Sequence, residues 1–258
     1  MKVSKQYIKE IKNKFGGYNA TWLPGVPLNV GDIGIFDKDG GFDRKANLQH
    51  LNISFQILPD STCDELEYTS RGGVSISPKL SGKSLLNSSF GINDAGLVVE
   101  FSKQNAVVFK AKDVTYPSIA NQIQLEKDIM KLYAQGEWKK EWCVVTELAV
   151  AESVTIIISK SSNSKIELKA NANINAAKID IADASFDFSI LSEGEMSTKI
   201  IAAQGLTPLF KAQKMNFKGK AAKVKTQSTA NALADHNAAE EMGLANFVFL
   251  GEEERLLG

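Results

Sequence analysis

The chain is predicted to fold as an α+β protein: a twisted, mostly antiparallel sheet with a few packed helices and amphipathic β-hairpin regions. Three observations predict this. Residues 74–101 and 154–190 contain runs in which apolar and polar residues alternate, the period of a strand with one wet face and one apolar face. Residues 4–15 and 117–135 instead carry apolar residues at helical spacing. Turn residues punctuate the runs between them, with Asp39-Gly40-Gly41 as the strongest hairpin signal.

At 258 residues and 43% hydrophobic, the chain has the material for one large domain or two small ones with a real core. Thirty basic residues balance thirty acidic ones, which argues against a nucleic-acid partner held by bulk charge. The N-terminus lacks the apolar core of a signal peptide, and no apolar run approaches the length of a membrane-spanning helix. A protein made in the cytoplasm is expected. Cys63 and Cys143 have no CxxC partner, and Cys143, between Trp142 and Val144, reads as a core thiol.

In chain order, Tyr7, Ile8, Ile11 and Phe15 form the apolar stripe of the first helix, which Gly16-Gly17 ends. Its other face carries Lys5, Lys9, Lys12 and Lys14. That face suits water, or an anionic lipid surface. A strand over 28–36 leads into the Asp39-Gly40-Gly41 turn, and 48–58 is a further extended stretch. Asp37, Asp39 and Asp43 lack the later glutamate and the flanking helices of a calcium loop, so a hairpin turn is the better reading. Pro117 is expected to open the second helix, with Ile119, Ile123, Glu126, Ile129, Met130 and Tyr133 near one face and Gly136 as its stop. A buried strand over 142–150 follows.

The two alternating regions hold the candidate functional residues. In the first, Val74, Ile76 and Leu80 alternate with Ser and Lys, and Leu97, Val99 and Phe101 continue the pattern after a Ser- and Gly-rich break. In the second, Ile156 and Ile158 precede a Ser-Ser-Asn-Ser turn. Residues 165–176 then alternate without a fault, with Ile166, Leu168 and Ile174 on the apolar side. A phase change follows, and Phe186 and Phe188 lie on the apolar side of 182–190. Short strands are expected at 198–203 and 206–210, flanking Gly205. Six lysines then crowd 211–225 with no acid among them. From residue 226 the balance turns acidic, with 229–243 Ala-rich and Phe247, Phe249 and Leu250 in a short apolar tag.

No phosphate loop, nucleophile elbow, zinc motif or dinucleotide fingerprint is present, and His50 and His236 have no catalytic context. The expectation is a non-enzymatic protein without cofactor or metal. Alternating strands of modest hydrophobicity suit the wall of a membrane barrel, which has lipid on one side and water on the other. An acidic tail behind a basic segment could block insertion, docking by charge and through Phe247, Phe249 and Leu250. Both regions also fit edge hairpins of a soluble β-rich protein. The alternative is therefore a structural or assembly subunit, phage- or secretion-related, whose strands pair between copies.

The order of elements is a basic N-terminal helix, strands, a first amphipathic region, a core helix, the buried strand EWCVVTELAVAESVTIIIS, a second amphipathic region, short strands and a brief tail. In order and length, over most of residues 1–225, this resembles the gasdermin pore-forming domain, and specifically the compact bacterial gasdermins with a short C-terminal inhibitory peptide. The resemblance implies a body (1–225) and an autoinhibitory tail (226–258). It implies an activating protease that frees the tail, insertion of both regions into the inner membrane, and assembly of many copies into a pore that causes cell death in antiphage defence. Bacterial gasdermins often carry a lipidated cysteine near the N-terminus. Here positions 2–5 are Lys-Val-Ser-Lys and the first cysteine is Cys63, so that feature has no counterpart at this position.

Overall fold

The computed structural model describes residues 2–80, 95–171, 179–217 and 245–249. Among these residues lie two helices, α1 (Val3–Lys14) and α2 (Gln122–Ala134). The strands are β1 (Asn19–Ala20), β2 (Asp32–Phe36), β3 (Phe42–Asn47), β4 (Ile57–Leu58), β5 (Asp64–Thr69), β6 (Val74–Leu80), β7 (Ala95–Phe101), β8 (Val107–Thr115), β9 (Ser118–Ile119), β10 (Cys143–Ser159), β11 (Ser164–Lys169), β12 (Ser189–Glu193), β13 (Met196–Phe217) and β14 (Ala245–Phe249). They form a ten-stranded sheet and a four-stranded sheet, and every pairing is antiparallel. The α+β prediction holds.

β10 is the spine of the large sheet. One edge pairs with β13 from Cys143↔Lys214 to Ser159↔Met196, and the other is shared by β2, β9 and β8. Its composition explains this place. Val, Ile, Thr and Ala dominate, and 14 of its 17 residues are buried, as expected for a strand covered on both faces. The polar Glu152-Ser153 pair suggests a break between two strands, at 142–150 and 154–159. The strand instead runs through, with register shifts at Ala149/Ala151 and Val154/Ile156. The predicted pair at 198–203 and 206–210 is likewise one strand, the 22-residue β13. Ala202 (φ 47°) and Gly205 (φ 66°) stand in the left-handed region, Ala202 falls within the Val154/Ile156 shift and Pro208 within the Ala149/Ala151 shift, so the extra residues leave the ladder as bulges without ending it.

Three apolar clusters fill the space around this spine. α2 (Leu125, Ile129), Ile33, Leu48, Val144, Leu148 and Phe210 form one. α1 (Tyr7, Ile8, Ile11) packs on Phe109, Val154, Ile156, Ile158 and Leu209 in the second. The third lies between the two sheets.

Other expectations shift for local reasons. α2 starts at Gln122, not Pro117, because Ser118–Ile119 joins the sheet as β9 and the Pro117 carbonyl accepts from Leu148 N. The helix face turns accordingly: Leu125 and Ile129 are buried, and Ile123 is 74% exposed. The strand expected over 28–36 shortens to β2. Within 48–58, Leu48–Leu51 is a 3-10 turn capped by Asn47 and His50, which explains one of the two histidines. Asp37 Oδ1 accepts from Asp39 N and Gly41 N at the β2–β3 turn, so the hairpin reading of that acidic cluster is correct. Cys143 is buried and Cys63 exposed.

Gly96 in β7 faces the backbone of β11. A Cβ there would collide with the Leu168 carbonyl oxygen. Gly96→Ala must push the two strands apart, and a loss of about 1–3 kcal/mol is expected. Gly16→Ala, with nothing within 4 Å of the added atom, should stay within about 0.5 kcal/mol. Urea unfolding midpoints of the two variants check the difference.

Candidate functional site

The four-stranded sheet, ordered β12-β11-β7-β6, is where the alternation becomes three-dimensional. Its register aligns residues in rows. Ile76, Val99 and Ile166 stand opposite one another, with Glu193 at the β12 edge of that row, as do Pro78, Leu97, Leu168 and Ile190. The intervening rows are Ser75, Glu100 and Lys165, then Ser77, Val98, Glu167 and Ser192. Paired residues project to one side of a sheet and alternate rows to opposite sides. The sheet therefore has an apolar face and a polar face, as the sequence pattern requires.

The apolar face lies on the body. Leu97, Val99, Phe101, Ile166 and Leu168 are all buried against Ala106 and Val108 of the large sheet's β8 side, Ile157 of β10, and Ile181. Five such side chains at about 1.5–3 kcal/mol each place the gross hold on the order of 10 kcal/mol. Any event that detaches this sheet must offer its apolar face comparable cover.

The polar face is tied within itself. Glu167 on β11 accepts from Lys165 at 2.6 Å and from Lys79 of β6 across β7. These two ammonium groups hold its carboxyl at about 2, against an ordinary 4.5.

Two further ties hold the segment that follows residue 178. Lys110 pairs with Asp180 at 2.9 Å and Lys112 with Asp183 at 3.2 Å, joining β8 to that segment. Both pairs are partly exposed and each contributes little alone. Hydrogen bonds from Ser185, together with the Lys112 ammonium, hold the Asp183 carboxyl below its usual range despite partial burial. The deeper tie is Thr155, wholly buried on β10. Its hydroxyl donates to the Ile181 carbonyl at 2.6 Å and accepts from Ala202 N, in the β13 bulge, at 2.7 Å.

The sequence-predicted insertion residues do not all belong to this site. Leu97, Val99, Phe101, Ile166 and Leu168 meet in one cluster, with Val74 and Phe188 half-buried against it. Ile76, on the edge strand, is 42% exposed. Ile156 and Ile158 lie in the other cluster, under α1, because they continue β10 and do not open a separate hairpin. Phe186 is on a 3-10 turn, ring to ring with Phe188 at 5.7 Å. That turn forms because the Asp183 carboxylate accepts from Ser185 N and Ser185 Oγ, a local bond that competes with strand. The run 165–176 is strand only through Lys169 among the described residues. Leu80 is in β6, but its side chain, like Ile174 and Leu250, lies outside the described residues.

α1 presents the basic face as predicted. Lys5, Lys9 and Lys14 are exposed, Lys12 is half-buried, and none of the four makes an ion pair among the described residues. The helix is fastened elsewhere. Lys2 pairs with Asp39 at 2.9 Å, and Glu10 accepts from Tyr68 Oη at 3.0 Å and Ser70 Oγ at 2.7 Å. Nothing in the sequence around Glu10 singles it out, since beyond Gln6, one helical turn away, the partners that fasten it to the sheet are 58 and 60 residues away.

The sequence also gives no sign of a polar joint where β1, β10 and β13 meet. Tyr18 Oη donates to Glu147, Lys211 Nζ lies 2.7 Å from Glu147 Oε1, and the same ammonium sits 4.5 Å from the centre of the Tyr18 ring. Burial, then the Glu147 carboxylate, pushes the Tyr18 hydroxyl upward. Burial and Asp64 push Tyr116, beside it, to about 12. Lys211, expected in an exposed basic linker, is thus a structural residue of β13.

The tag from residue 245 to 249 is β14, laid on β13 with Phe247 opposite Met215 and Phe249 opposite Gln213. A groove of about 300 Å³ lies by Trp22, Leu28, Phe42, Arg44 and Phe210. Among the described residues, no group of three or more His, Cys, Asp or Glu could hold a metal ion, and no helix is long and apolar enough to cross a membrane. The chain matches no family model and no curated protein.

Two outcomes test these ties. A carboxylate depressed in the fold stabilises it fully above its unfolded pKa and loses that contribution as pH falls through the folded value. For Glu167 the window runs from about pH 4.5 down to about 2. Glu167→Gln should therefore flatten the acid side of the stability profile in that window, read from urea midpoints at pH 6 and pH 3. Thr155→Val keeps the shape but strands a buried carbonyl, at a cost of about 1–3 kcal/mol, and a half-buried amide. Hydrogen exchange should rise at Ala202 and through 179–183, with β1–β3 unaffected.

Proposed function

We propose that this chain is an autoinhibited, protease-activated pore-forming protein of the cytoplasm. Its body (1–225) would insert amphipathic strands into the inner membrane and oligomerise once the tail (226–258) is released. Cell death in antiphage defence is the biological outcome this reading implies. The partners are an activating protease, anionic lipid and further copies of the chain, with no cofactor and no nucleic acid. The observation that carries the reading is the two-faced four-stranded sheet. It has the alternation of a barrel wall, and its apolar face is stored against the body. Two features support it: four α1 lysines that make no ion pair among the described residues and so suit an anionic surface, and a tail strand laid on the edge of β13.

A second reading, a non-enzymatic assembly subunit, draws on one feature. Along residues 196–206 the outer edge of β13 has no strand partner among the described residues. It predicts oligomers in solution without lipid or cleavage, and light scattering on the intact chain separates the two.

The decisive experiment is dye release from vesicles containing anionic lipid. Intact protein should release none, and protein cut within 218–244 should release most of the dye. No release from the cut, folded protein would overturn the proposal. Lys5, Lys9, Lys12 and Lys14 together changed to Gln should weaken vesicle binding of the cut protein by roughly two orders of magnitude or more, at about 1 kcal/mol per lysine. The fold should be intact, because these side chains reach solvent.

A further inference from the structure

β14 is joined to the body in a way its position does not require. In the ladder with β13, Phe217 stands opposite Ala245, so a two-residue turn would close this hairpin. The chain instead uses residues 218 to 244, twenty-seven in all, enough to reach roughly 90 Å when extended. Among the described residues β14 pairs with β13 alone, and it also lies against α2. The receiving strand is not built as a bare edge. Met215 and Gln213 are buried in the fold, and among the described residues the Gln213 side-chain oxygen has no hydrogen-bond partner. The backbone groups of such an edge can be met by any strand of the right sequence, whichever copy supplies it.

We infer that residues 213–217 of β13 form a strand-exchange site, which accepts Ala245–Phe249 of a second copy of this chain in place of its own. The ladder in the exchanged pair is the same ladder, so the balance between the two states is set by the tether and the protein concentration. A tether of twenty-seven residues gives the chain's own β14 an effective concentration in the range of millimolar. Dilute chains therefore keep their own strand, and exchange takes over when copies are crowded to a comparable local concentration. The inference needs no membrane and stands apart from the pore reading.

Cysteine pairs test it, in a Cys63→Ser background that removes the exposed thiol. Met215 and Phe247 are directly opposed. The Cα separation of such an antiparallel pair, about 4.5–5.5 Å, is within disulfide reach. The double variant M215C/F247C, at micromolar concentration in a thiol–disulfide buffer, should form an intrachain bond. An equimolar mixture of the single variants M215C and F247C should then form a mixed interchain disulfide. Its yield should rise at least tenfold between micromolar and millimolar protein. N216C mixed with F247C, one residue out of register, sets the background of random oxidation. An intrachain bond in the double variant with no mixed disulfide above that background at millimolar protein would overturn the exchange. Failure of the double variant to oxidise would remove the ladder on which it rests, and with it the proposal.

Discussion

β10 is the constraint on which everything else depends. Its two edges serve β13 on one side and β2, β9 and β8 on the other, and its residues enter all three apolar clusters. Side chains of a strand alternate with period two, so a slip of one residue would exchange its faces and bury the wrong set. The strand avoids that choice by changing register at defined points. Val144 and Leu148 serve the α2 cluster, and Val154, Ile156 and Ile158 serve the α1 cluster. Ile157 is left for the small sheet. Thr155 shows the economy of the arrangement: one hydroxyl satisfies a bulged amide of β13 and a carbonyl of the segment that returns from the small sheet. The spine thus sets where the small sheet lies and how its return segment is tied.

That small sheet is held by two kinds of force that differ in transferability. The burial of Leu97, Val99, Phe101, Ile166 and Leu168 is non-directional, and any apolar surroundings could supply it. The Thr155 bonds and the Lys110 and Lys112 pairs are specific to the body and have no substitute elsewhere. The ion pairs on the outer face, from Lys79 through Glu167 to Lys165, travel with the sheet wherever it goes. A bilayer would match the first force and forgo the second. It would also add a condition, since both outer strands, β6 and β12, expose backbone groups that hydrocarbon does not satisfy. On the pore reading, assembly of many copies is therefore a physical requirement of insertion. Only neighbouring copies could close those edges.

Legibility in the sequence followed the range of the interactions. α1 and the β6–β7 hairpin were readable to within a residue or two because their signals are local and periodic. The stripe Tyr7, Ile8, Ile11 is the one buried, and the alternating residues of β6 and β7 oppose each other as the pattern demands. Ile156 and Ile158 looked like part of the second amphipathic region, and locally they are. Only their continuity with Cys143–Val150, through the polar Glu152-Ser153 pair and the register shifts on either side of it, sends them to the core. Phe186 was misplaced for the opposite reason: a short-range bond from Asp183 overrides an alternation that is otherwise sound. Ile123 failed because the sheet captured Ser118–Ile119 and moved the start of α2 by several residues, turning its face. Glu10, Tyr18 and Lys211 carry no local signal, since the partners that give them meaning are far away in sequence.

The outer edge of β13 manages exposed backbone in two different ways along its length. Over residues 196–206, where no strand covers it among the described residues, Ala202 and Gly205 take left-handed conformations and the ladder is bulged, which spoils the edge as a template for pairing. From residue 209 the edge is regular and is covered, first by β1 and then by β14. β1 belongs to the compact N-terminal part and is fixed by α1 and the Tyr18 joint. β14 is different in kind, because it arrives across a long tether and its cover is only as permanent as that tether. A regular edge whose cover comes from the far end of the chain is conditionally protected. Distortion guards one half of the strand at all times, whereas the other half depends on which segment is within reach.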